Sequence, residues 1–477
     1  MTLDLGLGAH SGDGRGELPG GSGGGLPEGW AWATLGELCE VNPRSFEDEP
    51  GDDDLISQVP MAAVEAETGR INASTHVRYG DLKNKSLTRF QEDDVLFAKI
   101  TPCMENGKIA VARGLLDGRA LGSTEFHVLR SHGAVLSEYL MHYLLQRDVR
   151  VNAEQNMSGA VGQRRVPRPY LESLEVPVPP LAEQRRIVAE IEQQINHIEA
   201  GEEALKVSFQ KIDEFRKSVI CSAIPDPLPD DWEEVTVGEA GKVDLGRQRH
   251  PSWHSGPEMK PYLRVANVFE DRIDTSDVKE MDFSNTEDKY TLKEGDVLLN
   301  EGQSPHLLGR PAIYHGEPEG AAFQNTLIRF RPSLRITSEW ALLVFRRHMH
   351  TGRFMKESRI TTNIAHLSAA RLKTVEFPFP PEGTQESIVK QVRRQLEEAD
   401  RMEAELRGVT KGSADLRAAL LNAAFTGALV PQDPADEPAS VLLDRIRAER
   451  VTAKKAPRKR APRKPRSAPP GQEELPQ

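Results

Sequence analysis

The chain repeats itself, and no other feature constrains the fold as much. Leu26, Pro27 and Trp30 return as Leu228, Pro229 and Trp232, 202 positions on. At the same offset Gly36-Glu37 returns as Gly238-Glu239, Asp94-Val95-Leu96 as Asp296-Val297-Leu298, Gly107 as Gly309 and Thr124 as Thr326. Pro177, Pro179 and Pro180 return as Pro378, Pro380 and Pro381, and Gln184 and Ile187-Val188 as Gln385 and Ile388-Val389, all at an offset of 201. A near-constant offset across so many landmarks marks a tandem duplication, with one copy over about 26–224 and the other over about 228–428. For a chain of 477 residues this agrees with a prior of roughly 100–200 residues per domain.

Each copy has two parts. The first, of about 150 residues, is mixed. Short β-branched runs bounded by Gly, Pro and Asp, such as 94–98 and 296–299, read as strands, and helical stretches (138–146 and 339–348) lie between them. The second part follows a proline run and is one long helix, free of Pro for about 40 residues. In the first long helix Val188, Ile191, Ile195, Ile198, Leu205, Phe209, Ile212 and Val219 recur in alternating steps of three and four, which puts them on one face. In the second, Val389, Val392, Leu396, Ala399 and Leu406 do the same. Glu202 interrupts the first seam and Glu403 the second, 201 residues on; a polar seam residue costs stability and fixes register. At 1.5 Å per residue each helix would reach about 60 Å. A stripe that long outruns the domain before it, so the expected partner of each helix is the other, in an antiparallel coiled coil. The competing arrangement packs each helix only on its own domain. The expected class is α+β, divided into a Gly-rich disordered extension (1–25), mixed domain 1 (26–180), helix 1 (181–224), mixed domain 2 (228–380), helix 2 (381–428), a C-terminal segment (429–452) and a basic disordered tail (453–477).

Composition narrows the function by exclusion. There is no GxxxxGK[ST] phosphate loop, no HExxH, no CxxC pair and no glycine-rich dinucleotide turn. Glu105 lies three residues from Lys108, but the second copy carries Pro305-His306-Leu307-Leu308-Gly309-Arg310 there, with neither the Glu nor the Lys. A turn or a loop facing a partner explains Glu105 better than catalysis. Three well-separated cysteines suit neither a disulfide framework nor a zinc site. His127, in an apolar strand-like run, is expected to be a satisfied core or edge residue. Trp30 and Trp232 are expected to anchor the two domain cores. No apolar run approaches the roughly 18 residues that span a membrane, and the first residues lack the pattern of a signal peptide, so the expected location is cytoplasmic. The net charge is −12, which opposes phosphate binding. Charge is uneven, however: the tail carries eight Lys or Arg over 454–466 and no acid, and a basic cleft can coexist with acidic outer surfaces.

The segment Val176-Pro177-Val178-Pro179-Pro180-Leu181-Ala182-Glu183-Gln184-Arg185-Arg186-Ile187-Val188 resembles the start of the spacer helix in specificity subunits of type I restriction–modification enzymes. The second copy keeps the prolines, Gln385 and Ile388-Val389, and has Thr384 where the pattern has Glu. Residues 416–427 resemble the closing segment of that family's second helix, and 436–446 its C-terminal stretch. Residues 100–108 followed by 122–130 look like one recurring type of target-recognition domain. The resemblance covers about 26–450. It implies a non-catalytic subunit whose two domains each grip half of a split, asymmetric site on double-stranded DNA, with the helix pair as a ruler. It also implies two modification (methyltransferase) subunits and restriction/translocase subunits as partners, which would hold S-adenosylmethionine, ATP and Mg, while this chain holds no cofactor or metal. A methylation-only or related defence system and a coiled-coil scaffold protein are the alternative readings. Base readout needs polar side chains on loops entering a groove. The candidates, at corresponding places in the two copies, are Lys99, Thr101, Asn106, Lys108, Gln163, Arg164 and Arg165 in the first, and Asn300, Gln303, Ser304, Arg310, Thr361, Thr362, Asn363 and His366 in the second.

Overall fold

The computed structural model describes residues 25–455, apart from 47, 73, 161, 287 and 362–363. The expected extension, up to residue 24, and the basic tail from 456 onward lie outside the described residues. Five helices matter below: α1 (Ser137–Leu145), α2 (Leu181–Ser222), α3 (Ser338–His350), α4 (Glu382–Phe425) and α5 (Ala439–Lys455). The chain divides into two compact units, one made of residues up to 201 and from 411, the other of residues 202–410. The division falls inside both long helices, so each unit contains the start of one and the end of the other.

In the first unit an antiparallel sheet runs in the order Cys39–Val41, Phe126–Ser131, Val95–Ala98, Ile109–Val111. All four residues of Val95–Ala98 are buried, so this central strand is a continuous apolar run. A mixed sheet follows the order Thr75–Arg78, Leu55–Val59, Arg119–Gly122, Thr88–Gln91. Helix α1, buried at eight of its nine residues, shares one core cluster with the first sheet and the start of α2.

The second unit repeats this plan. Its main sheet runs Gly241–Leu245, Leu327–Pro332, Val297–Asn300, Pro311–Ile313, each strand shifted by 201 or 202 from its counterpart. Lys279–Asp282, Met259–Leu263 and Ala322–Phe323 form the second sheet. The repeat extends to single bonds. Thr34 with Glu37 and Thr236 with Glu239 form equivalent capping boxes. Asp94 takes a two-pronged contact from Arg130 at 2.9 and 2.8 Å, and Asp296 takes one from Arg331 at 2.6 and 2.7 Å. Trp30 is buried in the first core and Trp232 packs edge-on against the buried Trp340 in the second. His127 is buried, its Nε2 bonded to the Val166 carbonyl, as expected of a satisfied core residue.

The landmark glutamines are buried locks. The Gln184 amide donates to the carbonyls of Ala134 and Pro179 at 2.9 and 3.0 Å and accepts from the Leu136 N–H at 2.8 Å. Gln385 makes the equivalent three bonds to Arg335, Pro380 and Thr337 at 3.0, 3.1 and 3.2 Å. In each copy one side chain ties the start of the long helix to the strand-to-helix turn of its domain. A ribbon closes the same corner: Ala31–Thr34 pairs with Glu175–Val178, and Glu233–Thr236 with Glu376–Phe379.

The two long helices pair antiparallel. In the first unit Ile187 and Ile191, near the start of α2, share a core with Ala424 and Phe425 at the end of α4, and Phe425 meets the rings of Tyr139 and Tyr143 edge-on. In the second unit Val219 and Ile220, near the end of α2, share a core with Val392 near the start of α4. Of the expected seam, Ile191, Ile198, Ile212, Val219, Val392 and Ala399 are buried. Val188, Ile195, Leu205, Phe209, Val389, Leu396 and Leu406 are half-buried. The polar interruption has a partner: Glu403 pairs with Arg216 of the opposing helix at 2.6 Å, and Asp400 with the same arginine at 2.7 Å. Helix α5 returns to the first unit, with Ala439, Leu443 and Ile446 buried there and Arg450 donating to the carbonyls of Gly36 and Glu37. It runs to Lys455, three residues into the stretch expected to be tail.

Two predictions follow from this packing. Replacing Gln184 by Leu leaves the Leu136 N–H and two carbonyls without partners in an apolar core, a loss of about 1–3 kcal/mol for such a buried group. A lower melting temperature of the full chain and faster amide exchange at Leu136 are the expected readouts. His142 and His348, 4% and 1% exposed, are both pushed down to about 4 by burial. Their folded values lie below the unfolded value near 6.5, so the unfolded chain binds more protons below that pH. The stability they contribute is complete above about pH 6.5 and falls by about 1.4 kcal/mol per pH unit for each group down to about pH 4. A melting series from pH 7 to 4 should show this slope, and His142→Leu, the residue the second copy carries at 343, should flatten it.

Candidate nucleic-acid interface

At one edge of the first domain three segments are stitched together by the backbone. The chain leaving strand Val95–Ala98 donates from Lys99 N–H to the Glu125 carbonyl (2.9 Å) and receives Val166 N–H at the Lys99 carbonyl (2.9 Å). Thr101 N–H donates to the Arg164 carbonyl at 3.1 Å, and Ser158 pairs with Arg165 to close a hairpin. Lys99, Thr101, Gln163, Arg164 and Arg165 are thereby brought together at one edge.

Their side chains divide by role. The Arg165 guanidinium clamps Glu125 with bonds of 2.9 and 2.8 Å, and this contact holds the Glu125 carboxyl below its usual range. Arg164 reaches Glu105 at 3.4 Å and Glu154 at 3.3 Å, and Thr101 donates to Glu105 at 3.1 Å, so Glu105 braces the loop. Lys108 points inward, its ammonium on the carbonyls of Met61 and Val64 at 3.1 and 2.8 Å. Asn106 and Gln163 are exposed. Beside Lys99 lies an open cleft whose lining includes Arg44, Arg89 and Thr124. Three cations line it and no carboxylate does. Sequence reasoning passes over Arg44 and Arg89, because each is a lone basic residue at a place where the two copies share no landmark. Only the fold carries them to Lys99.

The second domain is stitched the same way. Glu301 N–H donates to the Thr326 carbonyl at 2.9 Å, and Leu367 N–H to the Glu301 carbonyl at 2.7 Å. Gly302–Gln303, Ile364–His366 and Arg359–Thr361 form a small sheet, which gathers Gln303, Thr361 and His366. Gln303 accepts from the Ser304 N–H, and His366 lies 3.2 Å from Glu301. Thr362 and Asn363 lie outside the described residues. Asn300 and Arg310 were expected on a loop and are placed in the packing of the domain. Asn300 ends the central strand, is fully buried and donates to the Val268 carbonyl at 3.4 Å; Arg310 donates to the same carbonyl at 2.6 Å with its guanidinium over Phe269. Another segment, 246–258, leads from strand Gly241–Leu245 toward Met259–Leu263 along this edge. Arg247 N–H donates to the Phe323 carbonyl, and Asn325 N–H to the Arg247 carbonyl, both at 3.0 Å.

Among the described residues no group of three His, Cys, Asp or Glu is placed to hold a metal ion, and no helix is long and apolar enough to cross a membrane. What the edge loops offer is hydrogen-bond donors, cations and exposed amides, the chemistry of phosphate and base edges.

The type I restriction modification DNA specificity domain, as a family model, matches the chain twice, over residues 27–206 and 229–406. The specificity subunit of type I restriction enzyme EcoAI of Escherichia coli is 32% identical over 216 residues, which are 44% of this chain and 36% of that protein. That of EcoEI, also of Escherichia coli, is 37% identical over 164 residues, 34% of this chain and 27% of that protein. The chain thus spans about a third of those two relatives. The specificity subunit of StySPI of Salmonella potsdam aligns over 456 residues at 24% identity, covering 89% of this chain and 96% of the relative. Two solved structures share the fold. One is a chain from the work on complex assembly and conformational transition of the type I R-M system, with a TM-score of 0.66 at 21% identity over 85% of this chain and 99% of that one. The other is the HsdS subunit from Thermoanaerobacter tengcongensis, with a TM-score of 0.56 at 22% identity over the same shares. With both copies of the repeat matched, the chain belongs to the family of type I restriction–modification specificity subunits.

Proposed function

We propose that the chain is the DNA-reading component of a restriction–modification complex, without catalysis of its own. Each recognition domain binds half of a split, asymmetric site, and the helix pair sets the distance between the halves. The observation that carries this reading is the cleft of the first domain, where Arg44, Arg89 and Lys99 converge without an acid in a chain of net charge −12. Cations grouped against the overall charge fit a phosphate backbone. Exposed Thr124, Asn106 and Gln163 are within the same edge and suit base contacts. Two modification subunits, supplying S-adenosylmethionine-dependent methylation of an adenine on each strand, and ATP-dependent restriction subunits are the partners this reading requires. A methylation-only relative would bind DNA in the same way and lack only the restriction subunits.

The test is an adenine-methylation map of a methylation-free host that co-expresses this chain with the methyltransferase encoded beside it. A split, asymmetric motif methylated once per strand is expected, and deleting residues 228–379 should abolish it or make it symmetric. Methylation that does not depend on this chain would return the scaffold reading. In the assembled complex, Lys99→Ala and Arg44→Ala should each weaken binding to cognate and non-cognate duplexes alike and lower the salt slope by about one. Fluorescence anisotropy across a salt series measures both effects.

A further inference from the structure

The two domains differ sharply in charge at one equivalent place, the segment between the first strand of the main sheet and the next long strand. In the first domain it spans 42–54 and carries six acids (Glu47, Asp48, Glu49, Asp52, Asp53 and Asp54). In the second it spans 246–258 and carries Arg247, Arg249, His250 and His254, with Glu258 as its one acid. The second-domain loop is also built to hold its shape. Gly246 passes so close to the 323–324 backbone that a Cβ would lie 2.3 Å from the Gln324 carbonyl oxygen, and a Cβ on Gly256 would lie 2.3 Å from the Asp282 carboxyl carbon. Arg247 stacks over the Trp253 ring at 4.0 Å and near Phe283 at 5.3 Å, and donates to the Asp282 carbonyl. With both ends and the middle pinned, Gln248, Arg249, His250 and His254 are left exposed. The Arg249 Nε–H donates to His254 Nε2 at 3.3 Å, which anchors the guanidinium at its Nε and leaves the two terminal nitrogens as further donors. The Ser252 N–H donates to His250 Nδ1 at 3.2 Å, which holds that exposed ring in place.

We propose that this loop is the specificity-determining element of the second domain, with Arg249 donating two hydrogen bonds to a guanine edge in the major groove. Arg247 and Trp253 act as positioning residues that hold Arg249 in place. The inference rests on the DNA-reading function proposed above and adds the contact that makes one half of the site selective. Arginine presents two donors in a fixed fork that matches O6 and N7 of guanine. A loop ordered before binding loses little entropy on contact, so its fork discriminates bases instead of settling wherever phosphate lies.

The experiment uses the full chain assembled with its methyltransferase subunits, the methylation map of each variant, and anisotropy against cognate duplexes substituted at each position in turn. The expected result for Arg249→Ala is degeneracy at one guanine of one half of the motif, with the other half unchanged and discrimination at that position reduced about tenfold or more. Trp253→Ala should relax the same position, and Trp253→Phe, which keeps a ring under Arg247, should restore it. An unchanged motif for Arg249→Ala overturns the proposal. So does an equal loss on every duplex with a shallower salt slope, because that is the behaviour of a phosphate contact. If the unaltered complex itself shows no sequence preference, the DNA-reading function fails, an outcome distinct from failure at this loop.

Discussion

Two buried glutamines decide where each recognition domain stops and its long helix begins. Gln184 and Gln385 are each fully enclosed, and each bonds three backbone groups, two carbonyls and one N–H. An amide that supplies both a donor and an acceptor can serve the turn before the domain helix and the carbonyl before the long helix together. Neither Leu nor Glu could replace it. The glutamine therefore ties the direction of a 42- or 44-residue helix to the sheet that carries the edge loops. A change in its orientation would swing a lever of about 60 Å, so the corner must be stiff. The ribbons of Glu175–Val178 and Glu376–Phe379, and the Tyr139 and Trp340 bonds to the carbonyls of Pro177 and Pro378 at 2.7 and 3.0 Å, make it so.

Overall acidity and the proposed nucleic-acid binding are reconciled by where the charges are used. Asp94 and Asp296 are 1% exposed and neutralised by Arg130 and Arg331. Those pairs sit within the scaffold and add nothing to the outer field. Breaking one by removing a single partner would strand a buried charge, which explains why the arrangement is duplicated intact. Glu403 is spent on Arg216 and Arg407 along the helix pair. At the cleft of Arg44, Arg89 and Lys99 no carboxylate lines the surface, and net charge constrains such a local face only weakly.

Much of the scaffold was legible because duplication exposes it. Most residues kept at an offset of 201 or 202 are structural: the capping boxes, the ion pairs, the glutamines and the tryptophans. The heptad seams were legible from period alone, although burial is uneven along them. Between Ile198 and Ile212 α2 has no fully buried residue. The edge loops were less legible, for the same reason in reverse. Asn300, Arg310 and Lys108 are polar residues beside strand ends, a position that sequence assigns to a loop. Each instead donates to backbone carbonyls, Lys108 to those of Met61 and Val64 and both Asn300 and Arg310 to that of Val268, a role that depends on the distant segments 61–64 and 268–269. Arg44 and Arg89 were missed because their proximity to Lys99 arises from sheet order, which no local pattern encodes.

The comparison of the two copies separates what the fold needs from what the site needs. Where backbone atoms do the stitching, side chains are free to change: Lys99 and Glu301 occupy equivalent positions with the same pair of main-chain bonds and opposite charge. Arg165 and His366 likewise share a place, one clamped on Glu125 and the other beside Glu301. A site built in this way can alter charge and hydrogen-bond pattern without loss of its sheet, because its main-chain bonds stay the same while the side chains differ. Two such domains on one chain therefore present two unlike edges on one architecture. The contrast between the acid-rich segment 42–54 and the basic segment 246–258 is a step of that kind, in which charge changes sign while the sheet on either side is kept.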